Sequence, residues 1–354
     1  MKIGLIGLQR SGKTTVFNAL IKSDGSMRGH SKGTEPTVAV VKVLDDRVER
    51  LSEMYIPKKT VYATVEFVDF AGLTESPAKG GPFSNAAAGK IRTMDSLALV
   101  VRNFDDDLLG SPTPLSDIQR INDELMLQDL ILGESRLERI EKGYKRGQRG
   151  EDLLREEKVI RRILERLNQN RPLREMTFTN EEEKVIRGFQ FLSRKPILVV
   201  LNSDETRFGK NSPLMAEIAK AHSAIEFAGT FEMELGLLDD EAAGLFMEDM
   251  GIKGSAYRRL TNLAYEVLGY ISFFTVGSDE VRAWNVRRGD TAIDAAAAIH
   301  SDLARGFIRA ECFSYNDCLR YGSEKAIREN GRFHLEGKDY MVQDGDILNI
   351  RFNI

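Results

Sequence analysis

The chain has 354 residues, of which 42% are hydrophobic and 29% charged, with a net charge of −4. This composition fits a folded globular protein and excludes a mainly disordered chain, a collagen-like repeat and a membrane bundle. At roughly 150 residues per domain the length predicts two or three domains, and the near balance of charge gives no bulk attraction to nucleic acid, leaving only local patches.

Residues 2–6 form a short apolar run and read as a buried strand, followed by a glycine-bounded loop and a helix over Thr15–Leu20. Residues 61–69 alternate and are rich in β-formers, so they predict one strand. Residues 96–101 and 196–201 predict two more buried strands, both far too short to cross a bilayer. Strands alternating with helices imply βαβ units and a parallel sheet. From Leu115 to Lys142, and again from Leu153 to Leu167, apolar residues recur at helical spacing around the basic turn Gly143–Gly150. Two readings fit: a coiled-coil hairpin, favoured by the dense flanking charge, or two ordinary core helices. From about Phe274 a compact α+β module is expected, with strands at 282–286, 307–313, 339–342 and 347–352, a helix over Ala292–Ser301 and a turn at Gln343–Asp346. Cys312 and Cys318 are too few for a disulfide framework and lack partners for a metal site. The start of the chain does not read as a signal peptide, so a cytoplasmic protein is expected.

Gly7-Leu-Gln-Arg-Ser-Gly-Lys-Thr14 matches G-x-x-x-x-G-K-[ST] between a strand and a helix. Small residues there let consecutive N–H groups wrap a phosphate, and the helix N-terminus adds its positive end. Lys13 would reach the β- and γ-phosphates and Thr14 would ligate Mg²⁺. Asp69-Phe-Ala-Gly72 ends a β run, so that Asp69 could hold Mg²⁺ and the Gly72 N–H could sense a γ-phosphate. Leu73 follows, where Ras-type GTPases carry a water-orienting glutamine, and leucine cannot orient water. Asn202-Ser-Asp-Glu205 follows the strand 196–201, in the place of the guanine-reading N-K-x-D loop, with Ser203 for the lysine and Glu205 for the aspartate. The longer carboxylate predicts weakened guanine discrimination.

These segments, together with Val65–Leu73, Arg187–Pro196, Glu280–Trp284, His300–Glu311 and Leu335–Asp346, resemble the YchF/Obg-like ATPase family over nearly the whole chain. The resemblance implies an α/β P-loop NTPase G domain in two parts (1–112 and 181–273), a helical coiled-coil insertion (113–180) and a C-terminal ubiquitin-like β-grasp or TGS domain (274–354). It implies Mg²⁺-dependent hydrolysis of ATP in preference to GTP, and association with the ribosome, its RNA or its proteins, in translation or stress regulation. No DNA or membrane partner is expected, and the chain is expected to be a monomer. The nucleotide contacts implied are Gln9, Arg10, Ser11, Gly12, Lys13, Thr14 and Thr15 on the loop. On the base side they are Asn202, Ser203, Glu205 and Gly229. The metal ligands expected are Thr14 and Asp69, with Thr37, and the catalytic groups expected are Lys13 and Gly72, with Arg10; Thr37 and Arg10 stand where the chain departs from the family.

Three departures from the family pattern stand out. Arg10 occupies the place of an asparagine that, in related GTPases, helps bind a potassium ion. Arg10 either supplies that positive charge itself, as a built-in arginine finger, or is solvated or paired with an acidic neighbour. In Glu35-Pro-Thr-Val-Ala39 the expected metal-binding threonine aligns with Val38, leaving Thr37 one step off, so that either Thr37 serves after a shift of the loop or the metal loses a protein ligand in the active state. The segment Thr74–Asn85 is shorter than expected. A regulatory nucleotide-binding module with little hydrolysis, and a guanine-specific Obg-type GTPase, are therefore the alternatives. The tip residues Lys142, Lys145, Arg146 and Arg149 read either as contacts for RNA phosphates or as a solvated turn.

Overall fold

The computed structural model describes residues 1–24, 36–70, 85–148, 150–235 and 256–353, with isolated positions between 238 and 247. The described chain divides into two units, Met1–Val40 with Glu66–Ala256, and Val41–Val65 with Tyr257–Ile354.

The first unit is built on β1 (Lys2–Ile6), β2 (Thr37–Lys42), β4 (Thr64–Asp69), β5 (Ser96–Asn103), β6 (Ile197–Ser203) and β7 (Ser223–Phe227), in the sheet order β2-β4-β1-β5-β6-β7. The pairings β1–β4, β1–β5, β5–β6 and β6–β7 are all parallel. Strands covered on both faces need no polar alternation, which is why all eight residues of β5 and all seven of β6 are buried. On one face Ile6, Val68, Leu99 and Val199 pack against Ala87, Ala88 and Ile91 of α3 (Asn85–Arg92). In a sheet of this kind the carboxyl ends of the strands face the crevice where ligands bind.

The run 61–69, read as one strand, is two. β3 (Lys59–Val61) and β4 separate at Tyr62 and Ala63, where the Ala63 carbonyl accepts the Val43 N–H at 2.8 Å. β3 joins the sheet of the second unit, so residues 41–65 group with the C-terminal residues rather than with the rest of 1–112. The helix after β1, α1 (Lys13–Asp24), starts two residues ahead of its expected Thr15.

Both readings of the central helices hold, each over its own stretch. α4 (Pro114–Lys145) and α5 (Glu151–Asn168) have 32 and 18 residues, or about 48 and 27 Å at 1.5 Å per residue. The first turns of α4 are core helix: Ile118, Ile121 and Leu125 pack into the cluster beneath the sheet. Beyond them Met126 packs with Val159, Ile160, Ile163 and Leu164 of α5. Gly133 permits close approach, since a Cβ there would lie 2.8 Å from Leu164. Arg136 and Glu156 pair through two hydrogen bonds of 2.6 and 2.7 Å, and Tyr144 donates to Glu157 at 2.6 Å.

Where core helix gives way to hairpin sits Asp129, with no solvent exposure. Its carboxylate accepts from the N–H groups of Leu192 (2.8 Å) and Ser193 (2.7 Å) and from Arg92 (2.9 Å). Arg92 also donates to the carbonyls of Gln128 (3.1 Å) and Gln190 (3.4 Å). Burial pushes the carboxyl above its ordinary range, while the two N–H groups and the guanidinium favour its charge.

The second unit is a six-stranded mixed sheet, ordered β11-β10-β12-β8-β9-β3. Its other strands are β8 (Tyr270–Thr275), β9 (Glu280–Arg287), β10 (Phe307–Ser314), β11 (His334–Glu336) and β12 (Asp346–Phe352). A helix at Ala292–Ile299 sets Ala292, Ala295 and Ala296 against Ile271, Phe273, Ala310 and Ile350 of the sheet. That helix ends before Ser301, because His300 leaves helical geometry and caps the next turn, its Nδ1 accepting the Asp302 N–H. The expected strand 339–342 is not one: it makes a single bridge, Met341 to Thr291, between turns. Arg47, in α2 (Asp46–Tyr55), holds both Asp45 and Asp344, which fastens residues 41–65 to this unit.

Asp129→Ala would leave the Arg92 charge and two N–H groups without their acceptor. It should lower the stability of the first unit by about 3 kcal/mol, read from urea unfolding.

Candidate functional site

The loop leaving β1 turns sharply, and three positions show why its residue types matter. A Cβ at Gly7 would lie 2.4 Å from the Val100 carbonyl oxygen. Gly12 has φ +87°, and a Cβ there would lie 2.1 Å from Asn202 Nδ2. Arg10 is in the left-handed region at φ +62°, a conformation that costs a non-glycine residue energy unless its surroundings hold it. The turn closes with Ser11 N–H to the Leu8 carbonyl at 3.3 Å and runs into the N-terminus of the 12-residue α1.

Ser11 is 2% exposed, and its Oγ has no hydrogen-bond partner among the described residues. Buried hydroxyls are rarely left so, and an anion in the loop would satisfy it. Lys13 is also buried, with Nζ donating to the carbonyls of Gly7 (3.1 Å) and Leu8 (2.9 Å), so that its ammonium is held over the loop. The exposed Thr14 donates from Oγ1 to Asp69 Oδ2 at 3.4 Å, Asp69 itself being 3% exposed at the end of β4. One hydroxyl and one carboxylate beside a phosphate-shaped loop are the hard oxygen donors that suit Mg²⁺, which takes few protein ligands and completes its shell with phosphate and water. Thr37 opens β2, the sheet neighbour of β4. Gly72, Leu73, residues 74–84, Glu35 and Arg149 lie outside the described residues.

Asn202 and Ser203 are the last residues of β6 rather than loop residues, and both are buried. The Asn202 amide donates from Nδ2 to the Ser11 carbonyl and accepts at Oδ1 from the Gly229 N–H, both at 3.2 Å. Gly229 is needed for this approach: a Cβ there would stand 2.8 Å from Thr15 Cγ2 and 3.1 Å from Asn202 Oδ1. Ser203 turns away from a stacking role, donating from Oγ to Glu226 at 2.6 Å and accepting from Asn103 at 2.8 Å. Beside them lies a pocket of about 220 Å³ lined by Ser203–Thr206, Ala228, Thr230 and Phe231. Glu205 is exposed on its rim. Phe231, on the helix Gly229–Leu235, is 3% exposed, and no motif in the sequence marks it.

Arg10 binds Asp106 through Nε at 2.7 Å. Asp106 belongs to a loop after β5 whose carbonyls at Phe104, Gly110 and Ser111 are held by the buried Arg102. The Arg10 guanidinium, helped by the N–H groups of Leu108 and Leu109, keeps the Asp106 carboxyl below the usual carboxylate range. Of the two readings of Arg10, the pairing with an acidic neighbour is the arrangement present. Gln9 is exposed beside it.

The chain is 37% identical to the "Ribosome-binding ATPase YchF" of Bacillus subtilis, over 99% of both chains. It is 38% identical to the Haemophilus influenzae protein of the same name, over 100% of this chain and 99% of the relative. The chain belongs to the YchF family. The solved structure of the Schizosaccharomyces pombe YchF GTPase matches it with a TM-score of 0.86 at 30% identity, covering 99% of this chain and 97% of that one. Residues 270–353 match the YchF-GTPase_C family, described as "Protein of unknown function (DUF933)". The YchF fold therefore applies from end to end: the parallel sheet with its phosphate-type loop, the helical hairpin and the C-terminal mixed sheet.

Gly12→Ala combines a strained φ with a collision against Asn202. It should cost about 2 kcal/mol of stability, measured by chemical unfolding.

Proposed function

We propose that the protein is a nucleoside triphosphatase that binds ATP with Mg²⁺ in the β1–α1 loop, prefers ATP to GTP, and uses hydrolysis as a conformational switch in work at the ribosome. The observation that carries the reading is the buried Ser11 hydroxyl, without a hydrogen-bond partner among the described residues, inside a loop that also holds the Lys13 ammonium and faces Thr14 and Asp69. The names of the YchF relatives support both the ATPase and the ribosome parts.

In this reading the loop from Gln9 to Thr15 binds the triphosphate. Its N–H groups and Lys13 neutralise the β- and γ-phosphates, and stabilise the charge that grows as water attacks in line. Thr14 and Asp69, joined by Thr37, hold Mg²⁺, which when bound spreads the phosphate charge. The Gly72 N–H senses the γ-phosphate. Asn202, Ser203, Glu205 and Gly229 form the base side. Glu205 replaces the shorter carboxylate that would grip guanine, so discrimination falls toward adenine. Arg10 stands one residue before Ser11, with Nε on Asp106, and its remaining guanidinium N–H groups would offset transition-state charge from within the chain. In this scheme the nucleotide domain comprises 1–40 and 66–256, carrying the hairpin 113–180, and 41–65 with 257–354 form the second domain, in place of the expected boundaries 1–112, 181–273 and 274–354. The protein works as a cytoplasmic monomer, and the basic tip at Lys142, Lys145, Arg146 and Arg149 faces ribosomal RNA or protein.

Calorimetry with Mg²⁺ present should give tighter binding of ATP than of GTP. Lys13→Ala should weaken ATP binding at least about 10-fold, the cost of a lost charge-assisted hydrogen bond. ATP and GTP binding with equal affinity, or neither binding, would remove the reading. Arg10→Ala should lower turnover and make the residual rate depend on potassium. An unchanged rate with unchanged potassium response sinks that role.

A further inference from the structure

The base side of the site is held by a group that no motif marks. Glu226 is the fourth residue of β7, half-buried, and three donors from the stretch 203–211 converge on its carboxylate. Ser203 Oγ donates to Oε1 at 2.6 Å, Asn211 Nδ2 to the same oxygen at 2.5 Å, and the Gly209 N–H to Oε2 at 3.2 Å. Ser203 in turn accepts from Asn103 on β5, which carries the link across to the next strand of the sheet. Between these anchors the chain is braced on itself: Asp204 accepts from Thr206 Oγ1 at 2.6 Å and from the Arg207 N–H at 2.9 Å. The turn bearing Glu205 is thus a preformed unit, fastened at its start, near its end and at Asn211 by one carboxylate. The same β7 strand then delivers Ala228 and Phe231 to the pocket.

We propose that Glu226 is the positioning residue for the purine: it sets the 203–211 turn against Ala228 and Phe231, so that the base is held while the triphosphate is held elsewhere. This rests on the nucleotide reading above and deepens it. The chemistry requires an acceptor-only group. A carboxylate can take three donors on two oxygens, whereas a glutamine presents an NH₂ in place of one oxygen and must turn a donor toward a donor. Glu226→Gln therefore loosens the turn without changing the size of the side chain. The phosphate loop is untouched, since its ties run through Asn202 and not through Glu226.

The test compares Mg²⁺–ATP with Mg²⁺–tripolyphosphate by calorimetry on the full chain, and adds steady-state kinetics. In Glu226→Gln the ATP affinity should fall about 10-fold and KM rise in step, with tripolyphosphate affinity and kcat unchanged. Asn211→Ala removes one of the three donors and should shift the same ratio about 3-fold, which keeps the test if the first variant does not fold. Equal losses for ATP and tripolyphosphate would mark Glu226 as merely structural and overturn the inference, as would an unchanged ratio in both variants. A wild-type chain that binds tripolyphosphate as tightly as ATP overturns the base pocket itself, and the inference with it.

Discussion

The site turns on one buried amide. Asn202 is 5% exposed and reaches in two directions at once, to the Ser11 carbonyl of the β1–α1 loop and to the Gly229 N–H after β7. An amide is the side chain for this task, because it carries a donor and an acceptor on one planar group. The demand then spreads outward. Gly12 and Gly229 must lack side chains, since a Cβ at either would press on the same amide. Three residues far apart in sequence thus answer to a single hydrogen-bonded bridge, and the loops of β1, β6 and β7 hold one arrangement because of it.

How much of this could be read beforehand follows from how each element is stabilised. β1, β5 and β6 lie inside a parallel sheet, and their central stretches, Ile3–Ile6, Leu97–Val101 and Ile197–Leu201, carry no polar side chain, so their composition reveals them. The β1–α1 loop is legible because its glycines answer to backbone geometry. The break between β3 and β4 is not legible. Both halves suit a strand, and the reason for the break is pairing with β9 through Lys59↔Glu280 and Val61↔Arg282, contacts more than two hundred residues away. The segment 339–342 misled for the opposite reason. Tyr340 and Val342 alternate because both turn inward, Tyr340 to donate to Asp346 at 2.8 Å and Val342 to enter the core at 2% exposure, without a ladder to pair with. Position in the fold, rather than local preference, decided both.

Charge in the site is arranged so that little is left to move. The Lys13 ammonium rests on two carbonyls of its own loop, so its placement does not depend on side-chain freedom. Such prior fixing is where electrostatic catalysis draws its advantage, because no reorganisation is needed as charge develops. Arg10 differs. It is 47% exposed at the side chain and, among the described residues, tied at Nε alone, to a carboxylate on a loop that Arg102 anchors. Asp106 lies 96 residues from Arg10, and no sequence pattern joins them. The left-handed backbone at Arg10 is held in place by this pairing and by the Ser11–Leu8 turn beside it.

The first described helix after Asp69 ends at Arg92, and that guanidinium is bound by Asp129 of α4 and by the Gln128 and Gln190 carbonyls. The Asp129 carboxylate is fully enclosed, so separating the pair would strand a buried charge at a cost of several kcal/mol. Asp129 thereby ties this helix to the base of the hairpin. Leu192 and Ser193 hang from the same carboxylate and lead directly into β6, at whose end Asn202 sits. The helix beyond Asp69, the root of the hairpin and the segment leading into the strand that ends at the site are in this way joined at a single aspartate.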